Sequence, residues 1–336
     1  MCNIAGYTGN KQAAPILLEM IRRQQPYDGD MSTGIVTIHE GKLHCRKVFG
    51  DVDTLIRETD ALDLPGTVGI AHTRPGFSKD FPPMHPFLSM DGGTALAQNG
   101  TGYEKYRYLR REAYEMLKQN GYVFQYQNSD PSKMPHGGEI GCYLTDYYMK
   151  QGKSPAEAMK LTFSTTFTDL AGVVVTQNEP DRVFAVRLTR PLEVVIEKGE
   201  TYLATTRFAF SKELKNAPMM LPTLNICAIS AKGLEIFDEK VENEIIEEMS
   251  PYVYAEGYKR MEALLKSDRA PMYFDELEFA VDKEMRDLWP NDRTFVQHAR
   301  LVYDLLWQFD QEGRLKREMR IQENKNGPRH RWYFSL

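Results

Sequence analysis

Two hydrophobic periods alternate along the chain, and where one replaces the other marks its elements. Cys2-Asn3-Ile4-Ala5-Gly6-Tyr7 opens as a strand, and Gly9-Asn10 follow as a turn signal. Residues 15–23 then carry apolar positions at helical spacing. Asp28-Gly29-Asp30-Met31-Ser32 form a polar loop ahead of a strand-like run at 35–39. The run 68–74 reads as a buried strand ending on Arg74, and 75–86 as a Pro- and Gly-rich loop. A short strand at 94–97 leads into Gln98-Asn99-Gly100. Helices are predicted at 104–120, from Glu139 towards Met149, and after Ser154-Pro155-Ala156-Glu157, where Pro sits in the first turn. From Ala171 the period falls to two, with strands at 172–176, 183–186, 192–196, 201–205, 225–230 and 233–237. Strands, helices, then a meander of strands predict an α+β layered domain ending near Asp238.

A second pattern follows. Helical spacing at 254–267, 274–284 and 294–311 precedes strand-like runs at 315–321 and 330–334, joined by the turn-rich 323–328. This outline predicts a small α/β winged-helix-like domain over 247–336, beside a first domain over 1–238. Residues 311–336 hold seven Lys/Arg against three Glu. The last helix, however, carries Asp304 and Asp310, which oppose phosphate contact. Protein docking or dimerisation is the expected role, with nucleic acid disfavoured.

Composition adds little. The 336 residues carry a formal charge of −5 and a pI near 5.9, giving no general attraction to nucleic acid or anionic membranes. No stretch approaches the roughly 18 apolar residues of a membrane span, and no secretory signal is visible. Cys2, Cys45, Cys142 and Cys227 lack metal or disulfide spacing, so free thiols in a cytoplasmic protein without metal or cofactor are expected.

Cys2 is the pivotal residue. Removal of Met1 gives it a free α-amine, which titrates about two units below a lysine and serves as a base for the thiol. The same residue also fits a strand as a small buried hydrophobe. Arg74 suits either an ion pair or a bidentate hold on a carboxylate. Asn99-Gly100 is either a turn or a pair of donors for an oxyanion. His85 has no metal-ligating company and reads more readily as structural than as catalytic.

In this order, these blocks resemble the class II (N-terminal nucleophile) glutamine amidotransferases, and most closely the glutaminase domain of glucosamine-6-phosphate synthase. The resemblance covers roughly residues 2–238. Cys2 to Tyr7 is similar to the family's opening Cys-Gly-Ile-x-Gly, and Gly69 to Arg74 to the block ending in its carboxylate-binding arginine. Met84-His85-Pro86 resembles the following His-Pro loop, and Gln98-Asn99-Gly100 the oxyanion block. Ala185-Val186-Arg187 through Pro191-Leu192, then Tyr202 to Thr205, follow the family's strand order. The resemblance implies a four-layer αββα sandwich without sugar isomerase domains. It implies Cys2 as nucleophile, Asn99 and Gly100 as oxyanion donors, and Arg74 and His85 in the substrate site. Ammonia would pass to a separate acceptor subunit, and a homo-oligomer fits the pattern.

Two departures stand out. Asp28 takes the place of a family arginine, and an anion there is expected to raise the thiol pKa. The family's Asp-x-Glu appears as His136-Gly137-Gly138-Glu139, so Asp130 is the candidate partner for the substrate α-ammonium, if the segment before Glu139 folds back. A hydrolase of another small amide, and a non-catalytic amino-acid-binding regulator, therefore stand beside the glutaminase reading.

Overall fold

The computed structural model describes residues 2–75, 84–102, 107–125, 134–166, 168–242, 248–288, 297–323 and 327–336. In chain order, β1 (Asn3–Thr8) and α1 (Ala13–Gln24) precede the hairpin β2 (Ser32–His39) and β3 (Lys42–Val48). Then come α2 (Val52–Glu58), β4 (Val68–Arg74), β5 (Phe87–Leu88) and β6 (Thr94–Gly102). Three helices follow: α3 (Arg107–Gln119), α4 (Gly137–Lys150) and α5 (Pro155–Thr166). The meander is β7 (Thr168–Thr176), β8 (Val183–Arg187), β9 (Glu193–Glu197), β10 (Glu200–Ala204), β11 (Met219–Met220), β12 (Asn225–Ser230) and β13 (Gly233–Lys240). The remainder is α6 (Pro251–Lys266), β14 (Met272–Tyr273), α7 (Phe274–Met285), α8 (His298–Gln311), β15 (Lys316–Gln322) and β16 (Arg329–Ser335).

Two antiparallel sheets pack face to face, one ordered β11-β9-β10-β1-β4-β2-β3 and the other β13-β12-β8-β7-β6-β5. Ile4, Val36, Ile70, Ala95, Ala97, Val173, Val175 and Leu203 fill the space between them. On the outer face of the first sheet, Ala5, Tyr7 and Ala71 meet Leu17, Leu18 and Ile21 of α1. On the outer face of the second, Leu96, Leu170 and Val174 meet Ile140, Tyr143, Met159 and Phe163. β1 is thus buried on both faces, so it reads as a continuous apolar run rather than an alternating one.

Local signals explain the helix starts. Ser154 Oγ accepts from Glu157 N at 3.2 Å while Glu157 Oε2 accepts from Ser154 N at 2.9 Å, a reciprocal cap on α5. The Asp51 side chain accepts from Thr54 N at 2.8 Å and starts α2. The sequence pattern did not announce α2 or β3. β3 is a partly exposed edge strand of Lys, His and Arg, without the alternation that marks a half-buried strand. No helix among the described residues is long and apolar enough to cross a membrane.

Residues 251–336 build α6, α7 and α8 against a three-stranded sheet ordered β14-β16-β15. Their core is shared with the first part of the chain. Tyr27 stacks on Phe208 at 4.9 Å and on Phe334 of β16 at 5.7 Å. Beside it, the Arg331 guanidinium is 2% exposed and grips Asp30 through two bonds of 3.0 and 2.9 Å. It also reaches Asp28 at 3.4 Å and donates to the Gln25 carbonyl at 3.1 Å. Breaking a buried pair leaves an uncompensated charge, so Arg331→Met is expected to cost about 3–5 kcal/mol of unfolding free energy. Urea denaturation checks this, and a loss below about 1 kcal/mol, the scale of an exposed pair, would contradict the buried geometry.

Candidate active site

β5 begins at Phe87, which pairs with Leu96, so among the described residues strand β6 has beyond Leu96 a strand neighbour, β7, on one edge only. Backbone groups on the other edge need partners from elsewhere. At Gln98 two histidines supply them. The Gln98 N–H donates to His85 Nδ1 at 3.2 Å, and the Gln98 carbonyl accepts from His72 Nε2 at 3.0 Å, which fixes one tautomer of each ring. Two residues on, the same edge presents the Gly100 N–H, near enough to the Cys2 thiol to lower its pKa. Gly100 takes φ of 110°, a region that a β-carbon resists.

Register brings the remaining groups together. β1 pairs antiparallel with β4 through Asn3 and Thr73, so Cys2 stands opposite Arg74 across the strand ends. Asn99 lies on β6, fully buried, and its side-chain amide donates to Thr205 Oγ1 at 2.8 Å. The same hydroxyl oxygen accepts from Ile4 N at 2.8 Å. Thr205 therefore bolts the second sheet to the start of β1, two residues from Cys2. An amide nitrogen has two hydrogens, so this bond uses one of the two that Asn99 carries.

The thiol is partly buried, and burial raises its pKa above the ordinary value. The charges of Arg74 and Arg190 and the Gly100 hydrogen bond oppose that rise. Asp28, the anion that the sequence sets near the thiol, is paired with Arg331, as is Asp30. The Asp28 carbonyl accepts from the Asn3 side chain, and its carboxylate from Gly29 N at 2.7 Å, so this turn supports the residue after the nucleophile.

The buried His72 and His85 and the half-buried His136 form a ring cluster beside Arg74. His72 and His85 stack at 4.3 Å, and His136 meets His85 edge-on at 5.2 Å. His136 Nδ1 accepts from Gly138 N at 3.1 Å at the start of α4. A β-carbon at Gly138 would lie 2.6 Å from the His85 ring, so α4 approaches this closely only with glycine. Burial, then the Arg74 charge, lowers the pKa of His72 and of His136 to about 3, and burial holds His85 well below its usual range. His85 is thus a backbone-gripping residue. No group of three or more metal-ligating side chains is assembled for an ion among the described residues.

Asp130 lies outside the described residues. Glu139 is buried and accepts from Gln125 N at 2.7 Å. Sequence reasoning gave no role to Thr205, although it quoted its block, and missed Arg190. Neither has a local signature, since both depend on which strands become neighbours.

No protein-family model matches the chain. A glutamine–fructose-6-phosphate aminotransferase (isomerizing) of Pyrococcus horikoshii is 31% identical over 213 residues, 62% of this chain and 33% of that protein. A protein of the same name from Zymomonas mobilis is 30% identical over 250 residues, 74% of this chain and 38% of its own length. The chain therefore spans little more than a third of these relatives. Among solved structures, the glutamine phosphoribosylpyrophosphate amidotransferase of B. subtilis superposes with a TM-score of 0.61 at 18% identity, covering 79% of this chain and 58% of that one. An allosteric regulatory enzyme of purine biosynthesis gives 0.59 at 17%, covering 78% and 57%. These two likenesses show the fold.

The histidine cluster makes stability depend on pH. The folded pKa values lie below the unfolded value near 6.5, so the unfolded chain binds protons that the folded chain refuses. Stability is complete above about pH 6.5 and falls as pH drops towards 3, by about 2 kcal/mol per histidine at pH 5. Urea midpoints between pH 7.5 and 5 measure this, and His136→Gln is expected to flatten the slope by one proton. An unchanged slope in that variant would contradict the assignment.

Proposed function

The chain belongs to the class II, N-terminal-nucleophile family of glutamine amidotransferases, and on that footing we propose that it hydrolyses the side-chain amide of glutamine to glutamate and ammonia. One observation carries this reading: β1 and β4 pair in a register that sets Cys2 opposite Arg74, with the Gly100 N–H of β6 near the thiol.

In this mechanism, removal of Met1 frees the α-amine of Cys2. Burial keeps the thiol protonated at rest, and the amine takes its proton as sulfur attacks the amide carbon. The tetrahedral oxyanion is held by the Gly100 N–H and the side-chain amide of Asn99, where losing one such donor typically costs about 3–4 kcal/mol of barrier. Arg74 holds the substrate α-carboxylate, a planar fork against a planar acceptor. Collapse of the intermediate breaks the C–N bond, and the amine returns its proton to the departing ammonia. Water then cleaves the thioester and releases glutamate.

The relatives are named for transfer to fructose 6-phosphate, and their match covers about a third of their length. We infer that ammonia released here goes to an acceptor domain or subunit outside the aligned region. The four free cysteines fit a reducing, cytoplasmic setting. Dividing the chain into an amidotransferase-like part over 1–238 and a winged-helix-like part over 247–336 accords with the helix–strand–helix–helix–strand–strand order of the latter. Docking rather than nucleic-acid reading suits it. The apolar residues of α8 are buried, and its acids are engaged, Asp304 with Arg207 at 3.6 Å and Asp310 with Arg317 at 2.5 Å.

Intact-mass analysis of the purified chain is expected to find Cys2 at the N-terminus, with glutamine turnover lost in Cys2→Ala. Asn99→Ala is expected to lower kcat by about 100- to 1000-fold, with KM little changed. Turnover of other primary amides without glutamine would transfer the reading to a different small-amide substrate. A chain that retains Met1 and hydrolyses no amide would sink it altogether.

A further inference from the structure

Arg190 lies between β8 and β9, and its place is set from two sides. The N–H groups of Leu188 and Thr189 both donate to the Leu170 carbonyl, at 2.9 and 3.2 Å. Leu170 is the register partner of Gly100, whose own N–H is near Cys2, so the segment carrying Arg190 runs beside the nucleophile. On the other side, Arg190 Nη1 meets Glu278 Oε1 of α7 at 3.2 Å. That same oxygen accepts from His298 Nε2, at the start of α8, at 2.7 Å. Arg190 and Glu278 are each 15% exposed, and 88 residues separate them.

We propose that Glu278, itself held by His298, is a positioning residue that fixes the Arg190 guanidinium beside the Cys2 thiol, so that α7 and α8 complete the active site of the amidotransferase part. This rests on the reading of Cys2 as the nucleophile. A free arginine side chain disperses its charge over many rotamers, with roughly 2 kcal/mol of rotamer entropy to lose. A carboxylate fixed at the far end selects the rotamers that keep the charge near one place.

The surrounding charges agree with this role. Arg74 and Arg190 both favour the Cys2 thiolate against the effect of burial. Burial would push the Glu278 carboxyl up, but the hydrogen bond and charge of His298 and the charge of Arg190 hold it down at about 2, an anion at working pH. Asp282 faces His298 from the next turn of α7 at 4.0 Å, and Tyr303 adjoins Glu278 as a buried neutral phenol. The cations at the thiol thus come from the N-terminal amine, from β4 and from the β8–β9 segment, and the last is held by Glu278, which also feels the charge of the amine.

The test is the pH dependence of Cys2 alkylation by iodoacetamide in the full-length chain, with Cys2 distinguished from the other three cysteines by peptide mapping. Arg190→Gln is expected to raise the midpoint by about half a unit to one unit, the scale of one nearby charge. Glu278→Ala is expected to shift it in the same direction, and the double variant no further than Arg190→Gln alone. Glu278→Gln keeps an acceptor for the guanidinium and is expected to fall between wild type and Glu278→Ala. It also gives the reading should the alanine variant fail to fold. A Glu278→Ala or Glu278→Gln profile identical to wild type, a shift to lower pH, or an additive double variant would each overturn the proposal. Glutamine turnover is measured separately, so an inactive wild type whose alkylation profile still responds to Arg190→Gln and Glu278→Ala would count against the glutaminase reading and not against this one.

Discussion

The constraint from which the rest of the site follows is the unpaired edge of one strand. An interior strand has its backbone donors and acceptors consumed on both sides. β6 loses this neighbour past Leu96, the partner of the first residue of β5, and in the next few residues the fold decides what each freed group does. The Gln98 peptide is given to His85 and His72, and the Gly100 N–H is left for sulfur. Neutrality of the histidines is part of this arrangement, because a protonated His85 Nδ1 would face the Gln98 N–H as donor against donor. Burial enforces the neutral state, and the cluster in turn keeps β6 in place.

Register supplies the remaining precision. β1 lies between β10 and β4, and a slip of one residue against either would turn every side chain of β1 to the other face. Ile4 would leave the inter-sheet core, and Cys2 would lose its place opposite Arg74. Thr205 guards against that slip, since one hydroxyl oxygen accepts from the backbone of β1 and from the Asn99 side chain of the facing sheet. The two sheets therefore meet at a defined point beside the nucleophile as well as through apolar area.

Much of this was legible in the sequence, for identifiable reasons. The runs at 68–74 and 225–230 coincide with β4 and β12 because strands buried on both faces have clear apolar boundaries. The short polar β3 and the two-residue β5, β11 and β14 carry too little pattern to stand out. Cys2, Arg74 and Asn99-Gly100 were found together because the order of their blocks carries the signal. The pairing of Asp28 was not legible because its partner, Arg331, lies 303 residues away. Arg190 escaped notice for the same reason, since its partner is on a helix of the C-terminal part.

That distance has a consequence in time. Ribosomes deliver a chain from its N-terminus, so Asp28, Asp30 and the strands around Cys2 emerge long before the guanidinium that neutralises the two acids. A nascent or prematurely terminated chain carries Asp28 and Asp30 without the Arg331 guanidinium that pairs with both. The last turn of the site to become electrically sound is thus among the first to be translated, and the finished arrangement of charge marks a chain that has been read through to residue 331.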